Sequence, residues 1–212
     1  DPSRIEASVG KRIPVRANRD DRYFTDTFQA LPSAGYAKCI ENALDHPLIS
    51  VRLSESFSKK MVRDYVHSFL CIPIDQFFDC SLGRLPYRSI KFEHRRQRID
   101  LPVATINFTD DQCYTRMTQW DLLPNSGRAL NGDHTVTYEI PCSPEENNNE
   151  LYYPVRNVES LKTYASYIDM AAALMMPVTF CGRTGLFEYL DMVPAVARHL
   201  QIVQAYAKSC GG

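Results

Sequence analysis

A block of strand-like sequence set between helical stretches constrains this chain more than anything else. From Ser89 to about Pro141, the segments Ile90–Phe92, Val103–Phe108, Tyr114–Thr118 and Thr135–Ile140 are rich in β-branched and aromatic residues. Asn125-Ser126-Gly127 and Asn131-Gly132 supply turns between them. The block therefore reads as an antiparallel sheet. Within it, Glu93-His94-Arg95-Arg96-Gln97-Arg98 reads as a solvated strand face or turn.

The flanks have other periods. Residues 2–9 read as a short helix. Lys11-Arg12-Ile13-Pro14-Val15-Arg16 reads as an extended basic loop, because proline disfavours helix at the residue before it. Tyr36, Ala37, Ile40, Ala43 and Leu44 recur at helical spacing and predict a helix over Tyr36–His46. Ile49–Leu53 alternates and predicts a strand, and the apolar run Tyr65–Ile72 predicts a buried strand ended by Pro73. Beyond the block, Ser143–Glu150 is a polar loop and Val158–Met175 has helical periodicity. Val178–Cys181 is a short strand entering a turn at Gly182-Arg183-Thr184-Gly185. Met192–Lys208 is a final amphipathic helix, with Pro194 tolerated in its first turn. The order predicts a mixed α/β (α+β) chain drawn from more than one subdomain.

Composition matters mainly for what it excludes. The 212 residues carry a net charge of −1, which argues against a non-specific nucleic-acid surface. No apolar run approaches the roughly 18–20 residues needed to span a bilayer, and no signal segment opens the chain. The seven cysteines are odd in number and form no C-x-x-C pair, which fits free thiols in a reducing cytoplasm. No histidine sits at ligand spacing from a cysteine, so no metal site is expected. The chain begins Asp1-Pro2 and not with methionine, which predicts a processed or truncated product.

The clearest constellation for chemistry lies at the C-terminal end. Phe180-Cys181-Gly182-Arg183-Thr184-Gly185 is followed by Tyr189-Leu190-Asp191-Met192 and then a helix. Glycines after a strand let a ligand approach the backbone, and the next helix N-terminus presents unpaired N–H groups to an anionic edge. The same pattern also makes a plain structural turn. Arg12, Arg16 and Arg116 can clamp a diphosphate through paired guanidinium hydrogen bonds, or can simply be solvated. Tyr152-Tyr153-Pro154 can lend phenol hydroxyls to the same ligand, or pack a strand edge.

Taken in order, these segments resemble the bacterial-type UDP-galactopyranose mutases. The likeness runs collinearly from about Glu6 to Tyr206. It rests on Lys11-Arg12-Ile13-Pro14-Val15-Arg16, Tyr23-Phe24, Pro32 to Tyr36, Gly83-Arg84-Leu85-Pro86-Tyr87-Arg88-Ser89, Tyr114-Thr115-Arg116, Tyr152-Tyr153-Pro154-Val155-Arg156, and Gly182-Arg183 through Tyr189-Leu190-Asp191-Met192. The resemblance implies interconversion of UDP-galactopyranose and UDP-galactofuranose with reduced FAD as covalent catalyst, its N5 attacking the anomeric carbon as UDP leaves. It implies Arg12 and Arg116 as cations on the diphosphate, and Tyr153 and Tyr189 as hydrogen-bond donors to the phosphates. Asp191 would lie near the sugar, with Tyr23, Phe24 and Asn107 as substrate contacts. Gly182, Arg183, Leu190, Asp191 and Met192 would face the FAD. The implied fold is part of a divided FAD-binding domain plus an antiparallel substrate domain. Its segments would be a substrate-channel loop region over 1–35, FAD-domain segments over 36–85 and 158–212, and the sheet over 86–157. A cytoplasmic homodimer without a membrane span, acting on UDP-galactose, is the implied setting.

Some residues depart from the family pattern. No G-x-G-x-x-G follows a strand, so the first FAD-binding βαβ unit is missing and the chain alone should be inactive. Ile72 stands where the family usually has glycine, and Gln119 where it tends to have glutamate. The alternative reading is a non-catalytic nucleotide-sugar-binding protein that has lost its Rossmann unit.

Overall fold

The computed structural model describes residues 15–20, 22–127 and 132–211. The helix expected over 2–9 and the loop residue Arg12 lie outside them. In chain order the elements are α1 (Gly35–Leu44), β1 (Ser68–Leu70), α2 (Ile74–Phe77), β2 (Tyr87–Gln97), β3 (Thr105–Asn107), β4 (Arg116–Gln119) and β5 (His134–Cys142). There follow β6 (Tyr153–Pro154), α3 (Val158–Ala172), β7 (Val178–Phe180), α4 (Gly182–Gly185) and α5 (Met192–Ser209). The chain forms two compact units, one holding Phe57–Ser89 and the chain from Ser143 onward, the other Val15–Ser56 and Ile90–Cys142.

The first unit is built on a two-stranded parallel sheet in which Ser68 registers with Val178 and Leu70 with Phe180. β1 is shorter and barer than the sequence suggests. Tyr65 and Val66 stay exposed and only Leu70 of the strand is buried, because among the described residues the strand has a single partner. The strand stops at Leu70, short of the expected end at Ile72, and Pro73 takes the cap position of α2. Helix α3 starts on a reciprocal cap: Asn157 Oδ1 accepts from the Ser160 N–H at 2.8 Å, and Ser160 Oγ accepts from the Asn157 N–H at 2.9 Å. Leu70, Ile74, Phe77, Leu85, Tyr87, Tyr167, Phe180 and Phe187 make the core. Fully burying one such aliphatic or Phe side chain contributes roughly 1.5–3 kcal/mol. The Tyr167 hydroxyl accepts from the Leu82 N–H at 2.9 Å and donates to the Gly83 carbonyl at 2.7 Å, which fixes the loop before β2. At that end of β2, Tyr87 and Arg88 pair antiparallel with Pro154 and Tyr153 of β6.

The second unit carries the expected antiparallel sheet, with β3 beside β4, β4 beside β5, and β5 beside β2. One face buries Leu101, Met117, Val136 and Tyr138. The Glu93–Gln97 end of β2 is mostly exposed, as the solvated reading expects. Ile49–Leu53 is a correction: it forms no strand, and Ile49, Val51 and Leu53 are exposed. Among the described residues its alternation finds no neighbouring strand to pair with, and alternation alone satisfies no backbone group.

Candidate functional site

The end of β7 and the loop before α5 bring together residues far apart in sequence. Cys181 is extended, and Gly182 takes a left-handed φ of +73°, which starts the single turn α4 where the sequence suggested an open turn. That turn aims Arg183 back across β6. Its guanidinium donates to the Tyr152 carbonyl at 3.0 Å and to the Leu190 carbonyl at 2.6 Å. It also lies 5.3 Å from the Tyr153 ring centroid and 5.2 Å from that of Tyr189. The two tyrosine rings stack 4.9 Å apart and 9° from parallel. Arg183 thus ties two segments together and lines up two phenols on one edge of the unit. Tyr152 is used differently: its hydroxyl donates to Glu150 at 2.7 Å, and that hydrogen bond, with burial adding to it, raises the phenol's pKa and keeps it protonated.

The space above both glycines is filled by the chain itself. A Cβ on Gly182 would lie 3.1 Å from the Cys71 Cβ, and one on Gly185 would lie 2.8 Å from the Leu70 carbonyl oxygen. These glycines let the end of β1 pack against α4. The start of α5 is the open part. Met192 and Val193 are 64% and 80% exposed, no acidic residue sits in the first turn, and Asp191 holds the cap position without a side-chain cap bond. The first amides of a helix have no intrahelical acceptor and carry partial positive charge. Leu190, Asp191 and Met192 therefore lead into an edge suited to an acceptor or anionic group.

The second unit holds another arrangement. Asn107, Arg116 and Glu139 sit at matching positions on three adjacent strands, since Asn107 registers with Arg116 and Arg116 with Glu139. Arg116 Nε donates to Asn107 Oδ1 at 2.9 Å, and an Nη donates to Glu139 Oε1 at 3.3 Å. The Arg116 side chain remains 43% exposed. It is a cation held at a fixed angle with part of its fork facing solvent. Glu139 was not singled out in the sequence; its only signal is a position two strands along from Asn107 in an alternating run. On the preceding loop Tyr23 and Phe24 meet edge to face at 4.8 Å, and Arg16 staples that loop by donating to the carbonyls of Asp20, Arg22 and Tyr23. Asp20 in turn takes two hydrogen bonds from the Arg22 side chain, which with the backbone bond holds its carboxyl well below the usual range.

Both departures acquire a structural account. Gln119 is buried on the face of β4 opposite Arg116, where its Oε1 accepts from the Leu101 N–H at 2.8 Å. Ile72 packs its side chain against the core of its own unit.

Residues 1–189 match the family described as GLF: UDP-galactopyranose mutase. The chain is 33% identical over 217 positions to a probable UDP-galactopyranose mutase of Klebsiella pneumoniae, spanning 99% of this chain and 54% of that protein. It is 31% identical over 224 positions to a dTDP-fucopyranose mutase of Escherichia coli, spanning 99% and 57%. It is 31% identical over 212 positions to a UDP-galactopyranose mutase of Mycoplasma pneumoniae, spanning 92% and 53%. The chain thus spans about half the length of the curated relatives it matches.

Proposed function

The chain belongs to the UDP-galactopyranose mutase family, and we propose that it supplies the substrate sheet and the C-terminal cofactor edge of an isomerase that interconverts UDP-galactopyranose and UDP-galactofuranose. The observation that carries this reading is the Tyr153–Arg183–Tyr189 cluster, which presents two aligned phenols beside the open start of α5. Phenol hydroxyls donate to phosphate oxygens without adding charge. Arg116, oriented by Asn107 and Glu139, serves as a fixed cation for the diphosphate, where negative charge grows as the glycosidic bond to UDP breaks. Arg12 is proposed as a second cation for the diphosphate. Tyr23 and Phe24 are proposed as apolar contacts along the substrate path, with Asn107 close to the sugar.

The residues present fit a flavin in one respect: the exposed first turn of α5 leaves amides that can meet the pyrimidine edge of the ring. Arg183, Leu190, Asp191 and Met192 are the residues that would hold it, with Arg183 acting through the carbonyls it fixes. Reduced FAD would supply the nucleophile, which no side chain in either cluster provides. The setting proposed is a cytoplasmic homodimer; among the described residues no helix is long and apolar enough to cross a membrane.

The test is turnover. The complete gene product, with dithionite present, should convert UDP-galactofuranose to UDP-galactopyranose, followed by chromatography of the nucleotide sugars. Arg116→Ala should lower turnover by about 10²-fold or more while flavin absorbance stays at the wild-type level. Flavin binding without turnover on UDP sugars, but with turnover on dTDP-fucofuranose, would move the assignment to the sugar named for the Escherichia coli relative. UDP binding with neither flavin nor turnover would leave a non-catalytic nucleotide-sugar-binding protein.

A further inference from the structure

Two thiols face each other where β1 and β7 end. Leu70 and Phe180 are the last registered pair, and the Cys181 N–H donates to the Leu70 carbonyl at 2.9 Å, so the next residues, Cys71 and Cys181, come abreast. Their sulfurs are 3.3 Å apart. Neighbouring strands lie about 4.8 Å apart, inside the roughly 4.4–6.8 Å between Cα atoms that a disulfide spans. Closing the bond to about 2.05 Å asks each sulfur to move by less than an ångström.

The two thiols are not equivalent. Cys71 is exposed and Cys181 is buried. The Cys181 thiol hydrogen-bonds to Cys71, which holds the Cys71 pKa down to about 6, while the Cys181 pKa is pushed up by the same hydrogen bond and by burial. His199 sits beside the pair and adds to the lowering at Cys71; its Nε2 accepts the Gly182 N–H at 2.6 Å and its Nδ1 faces the Ala195 carbonyl. The other cysteines lack this setting. Burial, and then the Asp75 carboxylate, raise the pKa of Cys80, and Cys142 is buried. Cys39, Cys113 and Cys210 are exposed, and among the described residues no other pair of sulfurs makes contact.

We propose that Cys71 and Cys181 form a thiol–disulfide exchange site that takes low-molecular-weight disulfides, with Cys71 as the entry thiol and Cys181 as the resolving thiol. Cys71 thiolate attacks one sulfur of the small disulfide, breaks its S–S bond and releases one small thiolate. Cys181 then gives up its proton to solvent or to that thiolate and attacks the Cys71 sulfur, expelling the second small thiol. The protein dithiol loses two electrons and the small disulfide gains them. The site stands apart from the mutase reading, since nothing in it depends on a nucleotide sugar.

The experiment is a time course of the reduced protein with glutathione disulfide at about pH 6, quenched with acid and read by intact mass and peptide mapping. At this pH an ordinary thiol with a pKa of about 8.5 is under about 1% thiolate, whereas the lowered pKa of Cys71, about 6, leaves a much larger share of it as thiolate. Allowing for the lower nucleophilicity of a less basic thiolate, Cys71 should react about tenfold faster than Cys39, Cys113 or Cys210. The wild-type product should weigh two hydrogens less than the reduced chain and yield a Cys71–Cys181 linked peptide. Cys181→Ser should stop at a glutathione adduct on Cys71, and Cys71→Ser should leave Cys181 unmodified. Exposed cysteines reacting as fast as Cys71, or a wild-type chain that keeps the glutathione adduct without forming the link, would overturn the proposal. The wild-type time course decides the matter even if a variant fails to fold.

Discussion

Replacing Arg183 by lysine keeps the charge and removes the fork. The guanidinium reaches the Tyr152 and Leu190 carbonyls at once, at 3.0 and 2.6 Å, and lies over two rings. An ammonium on a flexible stem satisfies one of the carbonyls and loses the flat contact. A hydrogen bond from a charged donor contributes about 1.5–3 kcal/mol, and a partly exposed cation over a ring about 0.5–1 kcal/mol. Tyr152 and Leu190 are only half-buried, so water replaces part of what is lost. The net cost of Arg183→Lys is then about 2 kcal/mol, roughly a thirtyfold change in the unfolding constant. With a urea slope of about 2–3 kcal/mol/M, the midpoint should fall by about 0.7–1 M. Equilibrium urea unfolding reads the midpoint, and near-ultraviolet circular dichroism reads the Tyr153–Tyr189 stack. Arg198→Lys is the control: this arginine is half-exposed and only 4.0 Å from Glu188, so its midpoint should hold. An Arg183→Lys variant with the wild-type midpoint and tyrosine signal would refute the claim that Arg183 sets this edge.

Gly185→Ala should destabilise by about 1–3 kcal/mol, because the new Cβ meets the backbone oxygens of Leu70 and Ile72 at 2.8 and 3.3 Å and backbone yields poorly. A thermal melt equal to or above wild type would contradict that contact. Burial raises the pKa of Tyr87 and of Tyr164, so both stay protonated in the folded state after they have ionised in the unfolded one. Their contribution is intact below about pH 10 and is lost as pH rises through the folded-state values. Urea midpoints should therefore fall on the alkaline side, and less steeply in Tyr87→Phe; equal slopes in the two proteins would remove Tyr87 as a cause.

The antiparallel sheet was legible because its strands carry β-branched and aromatic residues on alternating positions and each strand has partners to pair with. Ile49–Leu53 shows the limit of that signal, since the same alternation without a neighbour gives exposed, irregular chain. Pairing across 110 residues cannot be read from local pattern, so local pattern alone makes β1 too long and too buried. The site divides in the same way. Tyr153, Tyr189, Asn107 and Arg116 were named through resemblance to a family, and the geometry brings them together in two groups, Tyr153 with Tyr189 and Asn107 with Arg116. Glu139 stayed hidden because its part depends on strand register. The glycines of the Gly182–Gly185 turn suggested room for a ligand, whereas their missing side chains make room for Cys71 and Leu70.

The parallel pairing of β1 with β7 also sets a timetable for synthesis. Cys71 and Cys181 are 110 residues apart, so at about 5–20 residues per second β1 waits roughly 5–20 seconds for its partner to be translated. The sheet strands β2 to β5 lie between them and can pair as they emerge. The nascent chain therefore completes its inserted sheet first and closes the surrounding unit last. During that interval the strand end at Phe69 and Leu70 presents unpaired backbone groups, an edge open to pairing with other segments.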